Sequence, residues 1–162
     1  MSERAASDRR LDQPVTLRVR IDNNPNVASE GLWAEPTPDG FYRIANIPMF
    51  AKPLSMDDVV EARMEDGVLW MTRVVARGGH RTVWVLARPE ADPAALESLL
   101  DRLRGEGGGV ELGVNGYLAI DLLPDADAQA VYGLLEDAFH AGSIWYEIGG
   151  GPEVDPGSPS IR

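Results

Sequence analysis

The chain has 162 residues, 26 of them acidic and 15 basic, which gives a formal net charge of −11 at pH 7. Hydrophobic residues make up 44% of the sequence, enough for a core, yet no apolar run approaches the roughly 18 residues of a membrane span. Cysteine is absent, which excludes disulfides and thiolate nucleophiles, and no apolar segment follows the charged N-terminus as in a secretory signal. These features lead us to expect a cytoplasmic protein that does not bind membranes.

The negative charge is concentrated in the second half of the chain. Residues 1–88 hold 12 acidic and 12 basic side chains, whereas residues 89–162 hold 14 acidic and 3 basic ones. A surface of one sign repels phosphate backbones and attracts basic proteins. We therefore expect no nucleic-acid partner, and we interpret the acidic side chains either as a source of solubility or as a surface for a basic protein.

The first half of the chain is predicted to consist of β-strands. Residues 1–14 are polar and are predicted to form a mobile arm. Apolar and polar residues then alternate from Val15 to Ile21, as in a strand with one exposed face. Turn sequences follow at Pro38-Asp39-Gly40, Glu65-Asp66-Gly67 and Gly78-Gly79. The predicted strands are 15–21, 31–35, 41–47, 59–62, 68–75 and 82–86. Such close spacing indicates a small antiparallel barrel or a strongly curled sheet, and closure would remove the exposed strand edges.

From residue 89 the hydrophobic period becomes helical. Asp92 and Pro93 are typical of a helix N-terminus, and apolar residues follow at helical spacing until glycines end the helix near residue 105. Asp125 or Asp127 is predicted to cap a second helix that ends near Gly142. Further strands are predicted at 110–112, 117–122 and 144–148, with a turn at Asn115-Gly116 and a disordered tail over 149–162.

The element order defines the predicted fold class. From residue 82 it reads strand, helix, strand, strand, helix, strand, which is typical of the ferredoxin-like βαββαβ arrangement. We predict an α+β fold in which a small antiparallel β-barrel-like N-terminal half (15–81) is packed on a ferredoxin-like C-terminal half (82–148). A continuous mixed sheet, or a barrel with appended helices, are the alternatives.

Five short segments carry a resemblance to a known family. They are Leu32-Trp-Ala-Glu35, Tyr42-Arg43-Ile44, Asn46-Ile47-Pro48, Asp57-Asp58-Val59-Val60 and Gly79-His80-Arg81-Thr82. In this order they resemble an uncharacterised bacterial family, the domain of unknown function 4265, over roughly residues 15–148. Many members of that family have Gly-Asp where this sequence has Asp57-Asp58. The resemblance implies no particular activity.

The sequence contains two histidines that could act as bases. His140 falls in the last turn of the second predicted helix, where the helix dipole favours a cation, and we interpret it as structural. His80 follows two glycines in a predicted hairpin turn. It is either an exposed turn residue or part of a site for an anionic ligand, formed with Arg81 and Glu35 at the rim of the barrel. Two separated histidines without cysteine predict no metal site.

Other candidate motifs have structural interpretations. The carboxylate pairs Asp57-Asp58 and Glu136-Asp137 could bind a hard cation or act as acid and base. We interpret Asp57-Asp58 instead as a turn before a strand, and Glu136-Asp137 as the outer face of its helix. Trp84 and Tyr117 fall on the central strands of the predicted ferredoxin-like sheet, where related folds stack RNA bases. Because the basic-aromatic signature of that use is absent, we interpret both as core or interface residues. No catalytic residue and no cofactor is predicted.

Two hypotheses for the function follow. The first is a non-enzymatic, soluble interaction protein, of the inhibitor or immunity type, whose acidic surface binds a basic protein through Glu97, Asp101, Glu136 and Asp137. The second is a small enzyme or ligand-binding domain for an anionic small molecule around His80 and Arg81. The sequence leaves the oligomeric state open.

Overall fold

The computed structural model describes residues 13–22, 24–52, 54–106, 108–113 and 116–149. Most of the predicted arm (1–14) and of the predicted tail (149–162) lies outside these described residues. The same holds for Asn115 of the predicted Asn-Gly turn. None of the helices in the described part of the chain is long and apolar enough to cross a membrane.

The first five strands close into a barrel in sequence order. Each successive pair is antiparallel, but the closing pair of β1 and β5 is parallel, with Arg18 opposite Trp70. Five strands that reverse direction at each connection leave the first and the last running the same way, so antiparallel closure is geometrically impossible. The barrel prediction is confirmed, whereas a wholly antiparallel barrel is wrong at the closing pair. The strands are Val15–Arg20 (β1), Ser29–Pro36 (β2), Tyr42–Ile44 (β3), Val59–Glu65 (β4) and Val68–Ala76 (β5).

The second half of the chain forms a four-stranded sheet with two helices. The strand order is β7-β8-β6-β9, and all three neighbouring pairs are antiparallel. One sheet face, which includes Val83 and Ile120, packs against both helices through residues such as Leu103 and Leu135. The elements are β6 (Arg81–Ala87), α1 (Pro93–Gly105), β7 (Gly108–Leu112), β8 (Tyr117–Leu122), α2 (Ala128–His140) and β9 (Ile144–Gly149).

Both helices begin where the sequence predicts. The Asp92 carboxylate accepts the backbone N–H of Ala94 at 3.2 Å, and the Asp127 carboxylate accepts that of Ala130 at 3.1 Å. Asp127, rather than Asp125, is therefore the second N-cap. The first helix continues through Gly105 and is capped by Glu106.

The opposite face of the sheet is covered by the chain between β3 and β4. We call residues 45–52 and 54–58 the bridging segment. Its Pro48 carbonyl accepts the Trp84 indole N–H at 2.9 Å, and its Met49 carbonyl accepts the Tyr117 hydroxyl at 2.6 Å. Lys52, the only lysine of the sequence, forms an ion pair with Glu147 at 2.9 Å and lies over the Trp84 ring. The bridging segment therefore joins the barrel to the sheet, through these polar contacts and through apolar packing of Ile47 against Trp84 and Ala119.

Candidate functional site

His80 is buried at the junction of the barrel and the sheet, with 6% of its surface exposed. The interpretation of His80 as an exposed turn residue is therefore wrong. His80 immediately precedes β6, and the period of two places it on the same sheet face as Thr82, which contacts the bridging segment. The hairpin predicted at Gly78-Gly79 is wrong, because β5 pairs within the barrel and β6 within the sheet, and the glycines lie in the connection between them. At the end of this connection the imidazole is buried against Asp57 of the bridging segment.

Asp121 of β8 accepts the first hydrogen bond of His80. Both of its carboxylate oxygens lie 2.9 Å from Nδ1 of His80, and the side chain is 5% exposed. Burial raises the pKa of the Asp121 carboxyl above its ordinary value, while the hydrogen bond and the charge of His80 lower it and the charge of Asp57 raises it further. A buried carboxylate of this kind orients the imidazole and fixes a proton on Nδ1.

Asp57 of the bridging segment faces the other ring nitrogen. Its Oδ2 lies 3.1 Å from Nε2 of His80, and its side chain remains 46% exposed. The φ of Asp57 is 65°, in the left-handed region that glycine adopts most readily and aspartate tolerates better than most residues. Glycine is also the residue that the family resemblance implies at this position. Asp57 thus adds a carboxylate to the site, although its left-handed backbone conformation is less stable for aspartate than for glycine.

A third carboxylate, that of Asp58, holds the loop before β6 and the bridging segment together. Asp58 is fully buried, and its side chain accepts hydrogen bonds from the backbone N–H groups of Ser55 and Gly78 and from the Arg77 guanidinium at 2.9–3.0 Å. Gly78 allows this close approach, since a Cβ on Gly78 would lie 2.5 Å from the carbonyl carbon and oxygen of Asp57. The loop that carries His80 and the segment that carries Asp57 are therefore locked against each other.

The arrangement permits proton transfer between His80 and Asp57. With Nδ1–H donated to Asp121, a second proton in this pair can lie on Nε2 of His80 or on the Asp57 carboxyl. Both distributions have the same net charge, but the first is an ion pair and the second a neutral pair, so proton transfer between the two atoms changes only how the charge is distributed. Because Asp57 is half-exposed, it connects the buried imidazole with solvent.

The site is not arranged to bind a metal ion. Within the part of the chain that the structure describes, no three histidine, aspartate or glutamate side chains converge on one point as ligands. Asp57 and Asp121 lie at opposite nitrogens of one imidazole ring, so these three side chains cannot share an ion.

The residues predicted to form an anionic-ligand site lie apart. Arg81 points to the helical face of the sheet, where its guanidinium donates to the Tyr132 hydroxyl at 2.9 Å. Glu35 is exposed on β2, in register with Arg43 of β3. Of the three predicted residues, the structure places only His80 in the polar cluster at the junction.

The four residues of the predicted acidic surface differ in their exposure. Glu97, Asp101 and Asp137 are exposed on the helical layer, and Asp101 contacts Arg104 of its own helix at 3.3 Å. Glu136 was predicted to lie on the outer face, but it is only partly exposed. Its carboxylate accepts the Tyr146 hydroxyl at 2.6 Å and contacts His140 at 3.2 Å.

Two residues of the site were not assigned by sequence reasoning. Asp121 is the one charged residue in the strand Tyr117–Leu122, whose other residues are apolar or aromatic, and that position is a usable signal for a buried polar contact. Asp57 was a candidate only as one of a carboxylate pair with Asp58, and the sequence favoured a turn for that pair. No sequence signal shows that two segments more than twenty residues apart meet at His80.

Fold and site together define an α+β protein with a barrel and a sheet joined at a buried histidine–aspartate cluster. The chain belongs to the family described as Domain of unknown function (DUF4265), whose model matches residues 30–146. The solved structure of a hypothetical protein from Neisseria gonorrhoeae is similar, with 24% sequence identity and a TM-score of 0.76. The match covers 87% of this chain and 98% of that one, and at this identity it shows the fold alone. A search of curated proteins found no match.

Proposed function

We propose that the protein binds a small molecule at Asp57 and exchanges a proton with it through His80. The observation that supports this is the contact of both imidazole nitrogens with carboxylates, one buried and one half-exposed. A histidine oriented by a buried aspartate is the usual composition of a general acid–base site. The sequence predicted a ligand site formed by His80, Arg81 and Glu35. The site proposed here retains His80, and has Asp121 and Asp57 in place of Arg81 and Glu35.

Each side chain has a separate role in this proposal. Asp121 is a positioning residue, because it keeps the Nδ1 proton and leaves Nε2 as the reactive atom. Asp57 contacts the ligand at the surface, and accepts a proton from Nε2 or returns one to it. A ligand that donates a hydrogen bond fits Asp57 best, since the carboxylate has lone pairs that His80 does not occupy.

The test is an NMR screen of small polar molecules against the isotope-labelled protein. Binding is detected from changes in the signals of the two histidine side chains. We expect a ligand to shift the imidazole signals of His80 and to leave those of exposed His140 unchanged. Asp57→Asn should weaken its binding about tenfold, the effect of losing one charge-assisted hydrogen bond.

The matched control is Asp39→Asn, which makes the same change at an exposed turn. It should leave ligand binding unchanged. The proposed site is wrong if the molecules bind Asp57→Asn as tightly as the wild-type protein. It is also wrong if they shift the imidazole signals of His80 and His140 alike.

We also infer that the second half of the chain is a ferredoxin-like unit. The element order from β6 to β9 and the strand order β7-β8-β6-β9 support this.

RNA-binding proteins with a ferredoxin-like fold use the open sheet face for base stacking. Here the bridging segment covers that face, and Trp84 is only 2% exposed beneath it. A small molecule at the edge of the junction is therefore a better occupant than a nucleic acid.

A second candidate function is the binding of a basic protein by the helical layer, supported by the exposure of Glu97, Asp101 and Asp137. Reversing these three charges to lysine should slow association with such a partner, and added salt should slow the wild-type protein likewise, because steering charges are screened over about 8–10 Å. Glu136 is left unchanged because its contacts are internal. An association rate that responds to neither salt nor the reversals would contradict the candidate.

A further inference from the structure

His80 joins the two parts of the molecule through a single ring. Nδ1 faces Asp121 of the sheet, and Nε2 faces Asp57 of the bridging segment, which leads into the barrel. The backbone of that segment is tied to β3, because the Asp57 N–H donates to the Ile44 carbonyl and the Ile44 N–H donates to the Asp58 carbonyl, both at 2.9 Å. A change at Nε2 therefore acts on a contact between the barrel and the sheet.

The charged groups around the ring differ in how they respond to pH. Asp121 faces it from β8, Asp57 and Asp58 belong to the bridging segment, and Arg77 lies in the turn between β5 and β6. Arg77 carries its charge at all physiological pH values, so its pair with Asp58 is a permanent tie. The contact of Asp57 with His80 depends on the second proton of the imidazole.

We propose that His80 is a pH-responsive clasp that holds the Asp57 end of the bridging segment against the sheet. With both nitrogens protonated, the ring donates to Asp121 and to Asp57. When the second proton is lost, the lone pair of Nε2 faces the carboxylate of Asp57 and the hydrogen bond is gone. The left-handed backbone of Asp57 then loses one of the contacts that offset its cost, so the segment opens locally around Asp57 more often, while the Asp58–Arg77 pair stays in place.

The direction of the effect follows from the protonation states. The clasp is closed on the acid side of the His80 titration and opens as pH rises through it, because the contact needs the charged imidazole. This inference goes beyond the proposed function, and it holds whether or not a ligand binds.

Hydrogen exchange of the Asp57 and Ile44 amides, measured against pH and corrected for intrinsic exchange rates, tests the clasp. We expect the protection of both amides to fall about tenfold as NMR shows His80 losing its second proton, the loss expected for one charge-assisted hydrogen bond. The amides of β1 and β2 are the reference for global stability and should not change.

Asp57→Asn is the control variant. An amide can accept from Nε2–H or donate to the Nε2 lone pair, and asparagine tolerates the same left-handed backbone, so this variant should show no pH-dependent loss of protection. Asp57→Gly removes both the contact with His80 and the free-energy cost of the left-handed backbone, so its protection should not change with pH. Constant protection in the wild type across the His80 titration, or an equal fall in Asp57→Asn, would overturn the proposal.

Discussion

Gly78→Ala should lower the free energy of unfolding by about 2–3 kcal/mol, the upper range for overpacking a well-filled site. The added Cβ would lie 2.5 Å from the carbonyl carbon and oxygen of Asp57, and backbone cannot move aside as a flexible side chain can. Separating the two loops would also lengthen the hydrogen bond from the Gly78 N–H to Asp58. Equilibrium unfolding in urea, with the slope checked for constancy, measures the change.

Gly133→Ala is the matched control for this prediction. Gly133 lies in α2, and a Cβ there would meet nothing within 4 Å. Because alanine is the better helix former, this change should raise the free energy of unfolding by about 0.5–1 kcal/mol. Equal effects of the two substitutions would show that the Gly78 loop does not pack against Asp57 as described.

Glu30→Gln should lower the free energy of unfolding by about 2–3 kcal/mol, since it replaces a carboxylate that accepts three backbone hydrogen bonds. Glu30 accepts the N–H groups of Met49, Phe50 and Ala51 at 2.6, 2.9 and 2.8 Å. A glutamine offers one oxygen in place of two and turns an NH2 group towards these donors. Thermal or urea unfolding measures the loss, and proteolysis within the bridging segment should become faster.

The control for Glu30 lies on the same strand. Glu35 is exposed, so Glu35→Gln should change the free energy of unfolding by less than about 0.5 kcal/mol. If Glu30→Gln is as mild as Glu35→Gln, the carboxylate does not hold the bridging segment and the account of the junction is wrong.

These predictions concern one structural element, because the bridging segment makes most of the polar contacts between the barrel and the sheet. Its first part is tied to the barrel by Glu30 and to the sheet through Trp84 and Tyr117. Burial, and then the charges of Glu147 and Glu30, raise the pKa of Tyr117, so its hydroxyl remains a donor to the Met49 carbonyl. The last part of the segment carries Asp57 and Asp58 to the site. A change that loosens this segment should therefore disturb the fold and the site together.

Local patterns in the sequence predicted most elements of the fold. The alternation from Val15 to Ile21 and the helical spacing after Asp92 each reflect which side chains a single element can bury. Capping residues such as Asp92 act within a few positions, so both helix starts were predictable. The parallel closure of the barrel was not predicted, because the local patterns do not show which strands form the closing pair.

The sequence by itself determined the class of fold, the elements and the family resemblance, because each depends on residues close together in the chain. Only the tertiary structure decided which residues form the site. His80 meets Asp57 and Asp121 at separations of 23 and 41 residues, and Arg81 faces away because neighbours in a strand point to opposite faces. Burial of His80 depends on a segment that crosses from barrel to sheet, and no periodicity in the sequence encodes that path.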